Sequence, residues 1–139
     1  LRTWSYLQMF TTPVEESAIK GYAKSCSVGD ETASLEDRVR SYLDVNCSAC
    51  HRPGGTGASW DARFGTPLAE RNIFNGELRD TMGVAAAKVA VAGDPARSML
   101  HLRMASTTFG QQMPPLPRNV VDRKALDLVE EWIREKKER

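Results

Sequence analysis

Long apolar runs are missing from the 139-residue sequence. Val84-Ala85-Ala86-Ala87 is cut by Lys88, and no apolar run exceeds four residues. A helical membrane span needs about 20 such residues, so no membrane span is expected. A surplus of either charge sign is also missing. Lys plus Arg number 19 and Asp plus Glu 18, for a net charge of +1. That balance excludes a basic nucleic-acid arm and an acidic tail, and it argues against strong long-range steering of a charged partner. No partner nucleic acid is therefore expected. The chain opens at Leu1 without a basic, apolar leader, so it reads as a mature protein or an excised domain. Histidine is scarce, with only His51 and His101, and cysteine is limited to Cys26, Cys47 and Cys50. The remaining composition is ordinary for a globular chain, and the length suits one domain, expected to be monomeric.

What is present is concentrated in Cys47-Ser48-Ala49-Cys50-His51. This is Cys-x-x-Cys-His, the attachment signal for a c-type haem. Two thiols at that spacing reach the two vinyl groups of one porphyrin, and the adjacent histidine supplies an imidazole nitrogen to the iron. Met113-Pro114-Pro115-Leu116 offers a thioether for the other axial position. Such a haem is attached outside the cytoplasm in bacteria, so the expected location is periplasmic or extracellular. Using Cys47 and Cys50 leaves Cys26 over, as a free thiol or one paired outside the chain.

The pattern along the chain is helical and falls into two parts. Residues 1–33 carry an apolar opening without clean periodicity, a short helix between Val14 and Lys24, and a linker from Ser25 to Ala33. They are expected to be an N-terminal extension or the tail of a preceding domain. Residues 34–139 form the main domain. Ser34 with Asp37 resembles a capping box. Leu35, Val39, Tyr42, Leu43 and Asn46 then share a helical face, so a first long helix runs from about Leu35 into the Cys47 region. Arg71 to Gly76 is a candidate short helix ending at Gly76. Asp94-Pro95 starts a helix over about 95–106. Residues 111–117 form a stiff, proline-rich strap. Asn119 or Asp122 caps a last helix that buries Val121, Ala125, Leu128, Val129, Trp132 and Ile133.

Competing readings of the motif are weaker. A thioredoxin-like Cys-x-x-Cys needs a βαβ context that is missing. A zinc site recruiting Cys26 would need adjacent Cys50 and His51 to reach one tetrahedral ion. A Cys47–Cys50 disulfide would be strained. Met9, Met82, Met99 and Met104 compete with Met113, but Met99 and Met104 fall in a helix, where methionine usually fills the core. His101 reads as a partly exposed helix residue. Arg63 and Arg103 are candidates for the haem propionates, since a guanidinium grips a carboxylate through two parallel hydrogen bonds. Trp60, Leu68, Leu100 and Pro114 are further candidates for the haem wall.

Taken together, residues 34–139 resemble a class I cytochrome c domain. The resemblance rests on three blocks in order: Cys47–His51, Met113-Pro114-Pro115-Leu116 and Val129-Glu130-Glu131-Trp132-Ile133. A narrower likeness, to cytochrome c modules at the C-terminal end of larger secreted bacterial proteins, rests on Leu35 to Leu43, Cys50-His51-Arg52-Pro53-Gly54-Gly55, Asp61-Ala62-Arg63 and Gly93-Asp94-Pro95. Ala92 departs from that pattern, where proline is expected before Gly93. The resemblance implies an all-α fold, with N- and C-terminal helices crossing around one covalently bound haem c. It implies electron transfer with His51 and Met113 as axial ligands and no catalytic residues, serving a redox partner protein or a fused oxidoreductase domain. The alternatives are a five-coordinate haem sensor or peroxidase-like enzyme, if Met113 is labile, and a haem that only completes the core of an attachment module.

Overall fold

The computed structural model describes residues 1–57, 59–74, 76–116 and 119–137. Among these residues five helices follow one another: α1 (Arg2–Tyr6), α2 (Glu16–Ile19), α3 (Leu35–Cys47), α4 (Met99–Ala105) and α5 (Arg123–Glu135). Two single 3-10 turns, Leu68–Glu70 and Pro95–Arg97, punctuate the loops. Among the described residues there is no strand, only isolated bridges such as Phe74 with Ala90. The class is all-α. No helix among them is long and apolar enough to cross a membrane.

Local chemistry sets the helix starts. The Ser34 hydroxyl accepts from the Asp37 amide, Asp122 accepts from the Ala125 amide, and Asp94 accepts from the Arg97 amide. Each satisfies a donor that the first helical turn would otherwise leave unpaired. The helix expected over 95–106 is broken at Ser98, whose extended backbone separates the 3-10 turn from α4. Ser98 is fully buried, and its hydroxyl accepts from the Val91 amide and donates to the Asp94 carbonyl. That local bonding competes with helix continuation.

Two helix expectations need correction. The segment Val14–Lys24 forms only the single turn α2. The described part of Arg71–Gly76 is not helical, and Asn75 lies outside the described residues. Arg71 is 1% exposed, and its guanidinium donates to the carbonyls of Thr66 (2.8 Å), Arg63 and Phe64. Asn72 then turns left-handed at φ 51°. A buried side chain bonded to a neighbouring loop overrides the local helical pattern.

The core forms where α3 and α5 meet. Val39 and Leu43 on α3, four residues apart, face Ala125, Leu128, Val129, Trp132 and Ile133 on α5. Leu126, not anticipated from the pattern, is buried as well, whereas Asn46 on α3 is exposed. No side chain of residues 1–33 is fully buried, but Val28 is half-buried against this core, the Cys26 amide donates to Ser41 and Arg38 donates to the Val28 carbonyl.

One polar clamp crosses the helix pair. Glu36 Oε2 accepts from the Trp132 indole at 2.7 Å and from the Lys136 ammonium at 2.8 Å. Burial alone would raise the Glu36 carboxyl, but these two donors hold it below the ordinary value of 4.5. Its stabilising share is therefore complete above that value and is lost as pH falls through the lower folded one. Glu36→Gln is expected to destabilise by about 1 kcal/mol at neutral pH after solvent screening. Urea unfolding of both proteins should show the difference closing in acid, and a gap that persists there would rule the clamp out.

Candidate functional site

The site begins at the C-terminal end of α3. Cys47 is the last residue of the helix, and the Cys50 and His51 amides donate to its carbonyl at 3.1 and 2.8 Å. The chain therefore curls under the helix end, keeping both thiols and the imidazole in one turn. All three cysteines are free thiols. Burial, with the Cys50 charge second, pushes the Cys47 thiol up to about 12.

The loop after His51 returns tightly, and glycine allows it. A Cβ on Gly55 would stand 2.2 Å from the Cys50 carbonyl oxygen. A Cβ on Gly57 would stand 2.6 Å from the His51 ring. The Gly57 carbonyl lies 2.9 Å from His51 Nδ1. A carbonyl only accepts, so Nδ1 carries the proton and the Nε2 lone pair is left for a ligand. Burial lowers the His51 pKa, partly offset by the Gly57 bond, which favours the neutral ring. Trp60, 6% exposed, stacks on the imidazole with ring centres 4.5 Å apart and planes 29° apart. Donation of the second ring nitrogen to a backbone carbonyl is the arrangement that orients a metal-ligating histidine.

Met113 arrives from the strap. Its amide donates to the Arg103 carbonyl on α4 at 3.0 Å, which ties the strap to that helix. Gln112, 4% exposed, donates from its side chain to the Leu116 carbonyl within the strap. Arg103 adds a bond from its guanidinium to the Gln111 carbonyl at 3.1 Å.

These parts enclose one cleft of about 210 Å³. His51, Cys47, Met113, Pro114, Trp60 and Leu100 all line it, and Val89, Leu78, Met99 and Met104 complete its apolar surface. Cys50 lines an adjoining cavity together with His51, Met113 and Pro115. The lip is polar, with Asn46, Ser59, Arg79, Asp80 and Arg103. Two thiols, an imidazole with an open Nε2 and a thioether beside an apolar cleft form a donor set suited to a c-type haem. Among the described residues, no three His, Cys, Asp or Glu side chains gather as metal ligands.

Of the residues expected from the sequence, the fold brings Cys47, Cys50, His51, Met113, Trp60, Leu100, Arg103 and Pro114 to the cleft or its adjoining cavity. Arg63 and Leu68 are absent from both linings. Arg63 grips Asp61 through Nε and Nη2, and hydrogen bonds from Arg63 hold the Asp61 carboxyl well below the usual range. Leu68 packs against the core from a 3-10 turn. Arg103 is at the lip but already binds Asp80 at 2.8 Å. His101 lies 3.4 Å from Glu130 on α5 and does not line the cleft.

The sequence reading missed Gly57, Arg79, Asp80 and the cleft roles of Met99 and Met104. Gly57 had a signal in the spacing of Gly54, Gly55 and Gly57 beside the motif. Asp80 had none, since its partner Arg103 is 23 residues away. No protein-family model, curated protein or solved structure matches the chain.

Proposed function

We propose that the chain is an electron-transfer domain carrying one covalently bound haem c with His51 and Met113 as axial ligands. The observation that carries this reading is the convergence of the Cys-x-x-Cys-His turn and the Met113 strap on one apolar cleft. The order of elements supports a class I cytochrome c fold. The first long helix ends at the motif, the last helix packs on it, and the strap lies just before the last helix.

When bound, a haem c supplies a one-electron Fe(III)/Fe(II) couple. The residues around it have separable tasks. Cys47 and Cys50 would hold it through thioether bonds. Gly57 and Trp60 hold the His51 ring so that Nε2 stays unprotonated and aimed. Arg103 and the Gln112 side chain keep the strap closed over Met113. Trp60, Val89, Leu100 and Pro114 exclude water, and thioether ligation in a dry pocket favours the reduced state. With His51 and Met113 both holding the group, no open position would be left for substrate, so the role proposed is electron transfer and not catalysis. It serves a redox partner protein or a fused oxidoreductase domain, in the periplasm or outside the cell.

Production with a haem-attachment system gives the test. The purified protein should keep its haem on a denaturing gel, and the Cys47→Ala/Cys50→Ala variant should lose it. The oxidised protein should show the weak near-infrared sulfur-to-iron band. Rapid carbon monoxide binding by the reduced protein at neutral pH would favour a five-coordinate sensor instead.

A further inference from the structure

Three methionines, not one, line the cleft: Met99, Met104 and Met113. Their settings differ. Met113 is half-buried and sits on an irregular strap. Met104 is 6% exposed and sits on α4, a helix that packs on α5. Met104 directly follows Arg103, whose carbonyl receives the Met113 amide at 3.0 Å. The strap that presents Met113 is thus fastened to the chain one residue from Met104. Leu100 and Met104, four residues apart on one face of α4, both contribute to the cleft wall. Met99 is different: it lies at the start of α4, is 1% exposed, and its amide is bonded to Lys88 on another loop.

We propose that Met104 is a second thioether donor for the same iron site and takes the sixth position when Met113 is withdrawn. The proposal rests on the haem reading above. Its physical basis is the flexibility of the methionine side chain, whose three rotatable bonds let a sulfur cover a wide arc from a fixed backbone. The backbone of Met104 is fixed by α4 and does not depend on the strap. Opening the strap removes Met113 and exposes the cleft, but it leaves Met104 in the wall. The domain then retains a six-coordinate, low-spin iron and remains an electron carrier. Loss of Met113 alone does not convert it into a gas sensor.

Four haem-loaded proteins test this: the native chain, Met113→Ala, Met113→Ala/Met104→Leu and Met113→Ala/Met99→Leu. Met113→Ala should stay low-spin when reduced, with an upfield-shifted methionine methyl resonance identified by methyl-labelled methionine. Met113→Ala/Met104→Leu should become high-spin and bind carbon monoxide faster by roughly tenfold or more, since a resident sulfur reduces the binding-competent fraction. Met113→Ala/Met99→Leu should behave like Met113→Ala. Equal carbon monoxide rates in Met113→Ala and the Met104 double variant overturn the proposal. So does a switch to high spin on changing Met99 instead. If the Met104 double variant does not load haem, the methyl resonance of Met113→Ala decides alone, and its absence overturns the proposal. A native chain without covalent haem removes the haem reading and this proposal with it, whereas a loaded native chain with a high-spin Met113→Ala removes only this proposal.

Discussion

Trp132→Ala is expected to lower stability by about 3–5 kcal/mol. That is a large share of the roughly 5–15 kcal/mol that a domain holds in total. Trp132 is 2% exposed, and its ring sits 4.7 Å from Phe74. Removing it opens a cavity in the core between α3 and α5 and strips the Glu36 carboxylate of its indole donor. The Lys136 ammonium, 5.5 Å from the ring centre, loses its aromatic face as well. Trp132→Phe keeps most of the apolar volume, so it should lose much less. Urea unfolding of the three proteins measures both numbers. An alanine variant within 1 kcal/mol of the native chain, well below the roughly 3–5 kcal/mol of a cavity-forming change, would mean that the crossing does not depend on this side chain.

The second large effect is local to the site. Gly57→Ala is expected to displace the His51 imidazole, because the new Cβ would stand 2.6 Å from both Cε1 and Nδ1. Trp60 stacks on the ring, so the imidazole cannot move aside without disturbing that stack. The Nδ1 bond to the Gly57 carbonyl is lost with it. Overpacking of this kind costs about 1–3 kcal/mol. In haem-loaded protein the larger consequence is on ligation: a misdirected Nε2 weakens the axial bond and moves the reduction potential. Gly54→Ala is the control. Gly54 has φ 76° but nothing within 4 Å of its added Cβ, so it meets backbone strain without touching His51. Redox titration of both variants separates the two. If Gly54→Ala moved the potential as far as Gly57→Ala, the contact with the ring would not be the cause.

Legibility in the sequence followed the range of the interactions. Ser34 with Asp37, Asp94 with Arg97 and Asp122 with Ala125 are bonds across three residues, and the starts of α3, of the 3-10 turn at Pro95 and of α5 could be read from composition and spacing, whereas the start of α4 at Met99 could not. The face of α3 was equally legible at Val39 and Leu43, since periodicity reports burial directly. Arg71 shows where that logic ends. Its neighbours suggest a helix closing at Gly76, yet its guanidinium is buried against three carbonyls of the loop 63–66. Nothing in a local window announces that loop. Arg63, a candidate propionate partner, lies outside the cleft lining for the opposite reason: its Nε donates to Asp61, only two residues away. In the site, the motif and the strap were visible as residue types, but their meeting in one cleft depends on α4. There Met99 and Met104 read as core, and the fold makes them core and cleft wall at once.

The clamp between Glu36 and Trp132 joins residues 96 apart, and that between Glu36 and Lys136 joins residues 100 apart. Contacts of such separation carry a high loop-closure entropy, and they cannot form before the distant partner exists. A chain delivered from its N-terminus therefore presents Cys47, Cys50 and His51 well before α5 arrives to pack on α3. The order of synthesis leaves an interval in which α3 and the turn that follows it stand without their packing partner, and the arrival of the final helix ends it.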